Sequence, residues 1–139
     1  MKNFRFALLV LLALSLVLTA CGSSGPSTKL NVKMDDFKYD PMVNTIAAGQ
    51  EITLNIKNDG KVLHEYVIMK LGQTAGDKFG DEDEGNIYWE IEIDPGQSKT
   101  VTFTAPSDPG SYEIVCGTAG HLEAGMKGEL NVVASVAKK

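Results

Sequence analysis

Histidine and cysteine are scarce in this 139-residue chain, with two of each. That scarcity excludes a four-cysteine zinc site and a disulfide framework. Basic residues are also in the minority, 13 Lys and Arg against 18 Asp and Glu, for a formal net charge of -5. A chain so acidic is not built to grip a phosphate backbone, and no nucleic-acid partner is expected. Helical patterning is missing too: no stretch of a dozen residues carries a convincing apolar stripe of helical period, although Leu71 to Gly85 has room for a short helical turn. What remains is an ordinary folded composition, 43% hydrophobic and 22% charged, at a length that fits one domain with appendages.

The one long apolar run is Phe6 to Leu18, broken only by Ser15 and preceded by Lys2 and Arg5. At about 1.5 Å per residue this run is too short to cross a hydrocarbon layer of about 30 Å, so it reads as the core of an export signal. The segment Leu18-Thr19-Ala20-Cys21 resembles the lipobox of bacterial lipoproteins. The resemblance implies cleavage before Cys21 and a lipid on its sulfur, which would anchor the chain to the outer face of a cell membrane or in the periplasm. Removing 20 residues leaves 119 of the 139, and losing Lys2 and Arg5 leaves 11 basic against 18 acidic residues, hence a net charge of -7. Such a body is repelled by anionic headgroups and stands clear of them. Gly22 to Thr28, GSSGPST, is a flexible polar tether. The expected organisation is a leader over 1–20, an anchor and linker over 21–28, and one domain over 29–139.

From Lys29 onward a period of two dominates. Ile52, Leu54 and Ile56 alternate with polar residues, as do Ile87, Trp89, Ile91 and Ile93, and then Val101 and Phe103. Further strand candidates are Leu30 to Met34, Met42 to Ala47, Leu63 to Met69, Ser111 to Cys116 and Gly128 to Val133. Turn signals stand between them at Ala48-Gly49, Asn58-Asp59-Gly60, Asp94-Pro95-Gly96 and Ser107-Asp108-Pro109-Gly110. One polar and one apolar face per strand is the mark of antiparallel sheets half exposed to water. About eight short strands predict an all-β, two-sheet sandwich with Greek-key connections. Met34, Met42 and Met69 fall in strand-like segments and read as core.

With Cys21 lipidated, Cys116 has no disulfide partner, and an unpaired thiol in an exported protein calls for an explanation. It opens the segment Cys116-Gly117-Thr118-Ala119-Gly120-His121-Leu122-Glu123-Ala124-Gly125-Met126, a Cys-x4-His-x4-Met pattern between two strands. The small residues in this loop let it fold tightly enough for the three side chains to converge. The other histidine, His64, opens a strand after a turn and so sits at one pole of a sandwich. One thiolate, two imidazoles and a thioether form a soft donor set of the kind that selects copper at blue-copper electron-transfer sites.

At these residues the chain resembles the cupredoxins, and the Cys-x4-His-x4-Met spacing is most similar to auracyanin-like small blue copper proteins. The resemblance spans about Lys29 to Val133. It implies one type 1 copper ion, with Cys116 as thiolate ligand, His64 and His121 as imidazole ligands and Met126 as weak axial ligand. Azurin-type relatives carry Asn after the first histidine and Gly before it, where this chain has Glu65 and Leu63. Those departures touch groups that tune the metal rather than the ligands themselves.

The resemblance further implies an electron carrier, not an enzyme. A catalytic cupredoxin needs a second copper centre and further histidines, and both histidines here are already used. His121 would be the electron port, ringed by Ala119, Ala124 and Leu63, with Leu122 either joining that apolar patch or packing in the core. Expected partners are redox proteins such as a c-type cytochrome or a membrane oxidoreductase complex, met by a monomer. Asp81-Glu82-Asp83-Glu84 reads either as a solvated loop or as a patch that steers a basic partner. A different reading of the same site is copper storage or delivery without redox traffic.

Overall fold

The computed structural model describes residues 26–135. The segment 1–20 expected to be a leader and the lipidation candidate Cys21 lie outside the described residues.

Among the described residues, nine strands form two sheets. The first has the order β2-β1-β4-β7, made of Lys38–Asp40, Lys29–Asp35, Glu51–Asn58 and Ser98–Thr104. The second has the order β3-β9-β8-β5-β6, made of Val43–Ala47, Lys127–Val133, Gly110–Val115, His64–Met69 and Ile87–Ile93. The expected all-β sandwich is therefore present. All eight anticipated strands exist, and β2, three residues long, is the addition. A period-two pattern cannot be read in so short a piece. A short helix, a 3-10 turn at Glu84–Asn86, overlaps the end of the segment given room for one.

The sheets are mixed rather than purely antiparallel. β1 runs parallel to β4, pairing Lys29 with Thr53 and Met34 with Asn58. β3 runs parallel to β9, pairing Asn44 with Leu130. Alternation reports which face is buried but not which neighbour pairs, and here the chain crosses between sheets after β2 and after β3 before pairing again. The parallel β1–β4 pair carries the end of β1 to the same pole as the end of β4.

The alternation sets the core. Leu30, Val32, Met34, Ile52, Leu54 and Ile56 from the first sheet face Ile46, Tyr66, Ile68, Ile93, Ile114 and Leu130 from the second. Each such side chain contributes about 1.5–3 kcal/mol on burial. Trp89 stacks on Phe103 at 4.8 Å, closing the side where β6 and β7 approach. The interior strand β5 is buried on both faces: Val67 and Met69 turn outward into a second small cluster with Ala75, Val115 and Leu122. Met42, read from the sequence as core, is 55% exposed. It precedes β3 rather than lying within it, so the inward phase of that strand begins at Asn44.

Candidate metal centre

Two separate routes bring chemistry to one pole. β5 starts there, and its first residue is His64, fully buried. β8 ends there at Val115, and Cys116 follows immediately, also fully buried. The loop from Cys116 to Met126 then coils back to the start of β9. Its ends are tied together by Cys116 N–H donating to Met126 O at 3.2 Å and Met126 N–H donating to His121 O at 3.0 Å. Inside the loop, Ala124 N–H donates to Gly120 O and Gly125 N–H to Leu122 O. Gly125 takes a φ of 97°, a conformation that side chains resist, which is why the turn before Met126 needs glycine. Leu122 pins the loop from below by inserting into the second cluster, so it belongs to the core and not to an exposed patch.

The result is convergence. His64 Nδ1 and His121 Nδ1 are 3.1 Å apart, Cys116 Sγ lies 3.3 Å from His121 Nδ1 and 4.0 Å from His64 Nδ1. Among the described residues, these three offer donor atoms that all lie within 4.8 Å of one another. Ring-nitrogen bonds of about 2.0–2.1 Å and sulfur bonds of about 2.3 Å, the lengths found at zinc, span up to roughly 4.2 Å between two nitrogens and roughly 4.4 Å between sulfur and nitrogen. All three separations fall inside those spans, so the residues fit one metal ion. Met126 is buried in the same cluster as Cys116, and its main chain bonds to both Cys116 and His121.

The surroundings are polar where they must be. Glu65 N–H donates to Cys116 Sγ at 3.3 Å, so the sulfur has a main-chain partner. Thr118 hydroxyl donates to Glu65 Oε1 at 3.2 Å and approaches Leu63 O at 3.5 Å, tying the loop to β5. Burial raises the Cys116 thiol above its ordinary value, with the Glu65 N–H and the Thr118 bonds working the other way. Burial and the facing His64 lower His121, against the pull of Asp36 and Glu123. Both shifts favour the neutral forms of these two side chains.

Several contributors were not legible in the chain. Asn58 is fully buried; its side-chain amide donates to Val62 O at 2.8 Å and Ile93 O at 2.9 Å, and its oxygen accepts from Gly60 N–H. It had read only as a turn residue. Asp36 lies 3.0 Å from His64 Nε2. Phe37 sits 4.7 Å from the His121 ring and, with Val62, is 40% exposed. Of the residues expected to ring His121, Ala119 and Ala124 are exposed and Leu63 is half-buried. His121 itself is only 8% exposed. The acidic run splits: Asp83 is buried and accepts from Gly80 N–H at 3.0 Å as a turn cap, while Asp81, Glu82 and Glu84 face water.

Comparison with known proteins gives a consistent picture. A family profile described as a cupredoxin-like domain matches residues 8–132. Auracyanin-A of Chloroflexus aurantiacus is 32% identical, over 90% of this chain and 94% of its own length. The copper-resistant cuproprotein CopI of Rubrivivax gelatinosus is 29% identical, over 73% of this chain and 63% of its own length. The sodium-dithionite-reduced auracyanin of the photosynthetic bacterium Roseiflexus castenholzii superposes with a TM-score of 0.67 at 33% identity, over 78% of this chain and 99% of that one.

Proposed function

Since the chain belongs to the cupredoxin-like family, we propose that it carries single electrons on one type 1 copper ion held by Cys116, His64 and His121, with Met126 as the weak axial ligand. The observation that carries this reading is the convergence of one sulfur and two ring nitrogens, all buried, at one pole of the sandwich. When bound, copper supplies a one-electron couple between Cu(II) and Cu(I).

The chain's part is to hold its donors still. His64 is fixed by the strand pairing of β5 with β6, in which it faces Ile93. Cys116 and His121 are fixed by the loop's own hydrogen bonds and by Leu122 below. A pocket that moves little between oxidation states keeps the reorganisation cost of electron transfer small. The Glu65 N–H withdraws density from the sulfur and so tunes its donor strength. Exposed Phe37, 4.7 Å from the His121 ring, with the exposed loop residues Ala119 and Ala124, would offer a small apolar contact suited to brief docking with quick release. Redox proteins such as a c-type cytochrome or a membrane oxidoreductase complex fit that surface, and exposed Asp81, Glu82 and Glu84 would steer a basic partner. The protein would act as a monomer, exported by its leader and tethered through lipid on Cys21 and the 21–28 linker.

The protein is a carrier rather than an enzyme; its two histidines converge on one centre. The similarity to a copper-resistant cuproprotein favours a second reading, copper storage or delivery. Voltammetry of the copper-loaded protein, followed by mixing with a reduced c-type cytochrome, separates the two. A reversible one-electron wave and rapid oxidation of the cytochrome are expected. A protein that holds copper but exchanges no electrons would move the assignment to storage.

A further inference from the structure

From the geometry at the pole, we infer that Asp36 is the positioning residue of the centre: its carboxylate fixes the tautomer and orientation of His64 and biases the bound ion toward Cu(II). This rests on the ligand assignment above. The Asp36 Oδ1 atom lies 3.0 Å from His64 Nε2, on the side of the ring away from Cys116 and His121. A carboxylate only accepts, so Nε2 carries the proton and Nδ1 is left with its lone pair. Nδ1 is the atom 3.1 Å from His121 Nδ1 and 4.0 Å from Cys116 Sγ. The bond thus presents the one ring nitrogen that can bind an ion with the other two donors.

Asp36 is held for this task from outside the ligand loop. Its carboxylate also accepts from Lys61 N–H, at 3.2 Å to Oδ1 and 3.1 Å to Oδ2, so it clamps the turn after β1 to the segment leading into His64. Gly60 makes room: a Cβ there would collide with Asp36 Oδ1 and come within 2.8 Å of His64 Nε2. The next residue, Phe37, lies against both imidazoles, at 4.7 Å from His121 and 6.1 Å from His64. One short turn therefore reaches both rings. A negative partner on the far nitrogen strengthens the near nitrogen as a donor, and Cu(II) gains more from a strong nitrogen donor than Cu(I) does.

The test compares wild type with Asp36→Asn, Asp36→Ala and Asp35→Asn. Asp35 is the control: an exposed carboxylate that pairs with Lys38 and accepts from Asp36 N–H at 2.9 Å, a bond that asparagine can keep, and that has no hydrogen bond to either histidine. Cu(II) and Cu(I) affinities are measured by chelator competition, and the midpoint potential by voltammetry. Asp36→Asn should stay blue but bind Cu(II) about 10–100-fold more weakly, as loss of such partners generally does. With Cu(I) binding unchanged, each tenfold loss raises the potential by about 59 mV. Asp36→Ala should exceed Asp36→Asn, and Asp35→Asn should leave both quantities at wild-type values. Equal shifts in Asp35→Asn and Asp36→Asn would reduce the effect to general charge and overturn the inference. So would wild-type affinities and potential in Asp36→Asn. Failure of the ligand assignment itself would appear differently, as wild-type protein that binds one copper without turning blue.

Discussion

The two imidazoles at the pole come from regions built on opposite plans. His64 belongs to the sheet framework: it is the first residue of an interior strand, fully buried, paired across from Ile93, and backed by Asp36, with the Asn58 network beside it. His121 belongs to a loop of small residues that makes its own hydrogen bonds and rests on Leu122. The framework supplies position through long-range pairing, whereas the loop supplies position through local turns. The difference teaches that a rigid centre needs only one donor set into the sheets, provided that the loop carrying the others is tied at both ends to the same pole.

The strongest way to break this comparison is to remove each ring in turn. His121→Gly should open a gap near the surface, and added imidazole should restore copper binding and colour. His64→Gly should lose copper binding without rescue, because its site is closed to water and the Asp36 carboxylate loses its partner. Absorbance titrations with and without imidazole read both results, and equal rescue of the two would erase the distinction.

A smaller effect tests the framework alone. Asn58→Ala leaves the buried Ile93 carbonyl and two further main-chain groups short of partners and should cost about 1–3 kcal/mol. At about 4–8 °C per kcal/mol for a domain near this size, melting should fall by several degrees. A thermal scan that finds no change would mean the network does not brace the pole.

The smallest expected effect concerns Glu65, which touches both regions through the sulfur and Thr118. Burial, and then the charges of Glu92, Glu90 and Glu84, raise its carboxyl above the ordinary value of 4.5, partly offset by the Thr118 bond. These acids line a cleft of about 340 Å³ beside it. The folded protein therefore holds this proton more firmly than the unfolded chain does. The stability so contributed is complete below the ordinary carboxylate value and is lost as pH rises through the raised one. Glu65→Gln keeps an acceptor for Thr118 and removes the penalty. Melting at pH 7 should rise slightly over wild type, with the gain gone near pH 4. A loss at pH 7 would contradict the sign.

How much was legible follows the same division. The loop was readable because its chemistry is local: Cys116, His121 and Met126 stand at fixed short spacings among glycines and alanines. His64 was readable because it opens an alternating strand. Asp36 and Asn58 were not, since their roles depend on the parallel pairing of β1 with β4, which sets Met34 beside Asn58 and brings the turn after β1 over the pole. Alternation reveals a buried face but carries no record of the neighbouring strand. Leu122 could be placed in core or patch from sequence, and only the two-sided burial of β5 decides for core.

One measurement tests the central claim most directly: titrating purified wild-type and Cys116→Ser protein with Cu(II) while recording the visible spectrum. An intense blue band from thiolate-to-copper charge transfer, saturating at one equivalent in wild type and absent from Cys116→Ser, is the predicted result. A wild type that stays colourless at one bound copper, or a Cys116→Ser protein that remains blue, would contradict it.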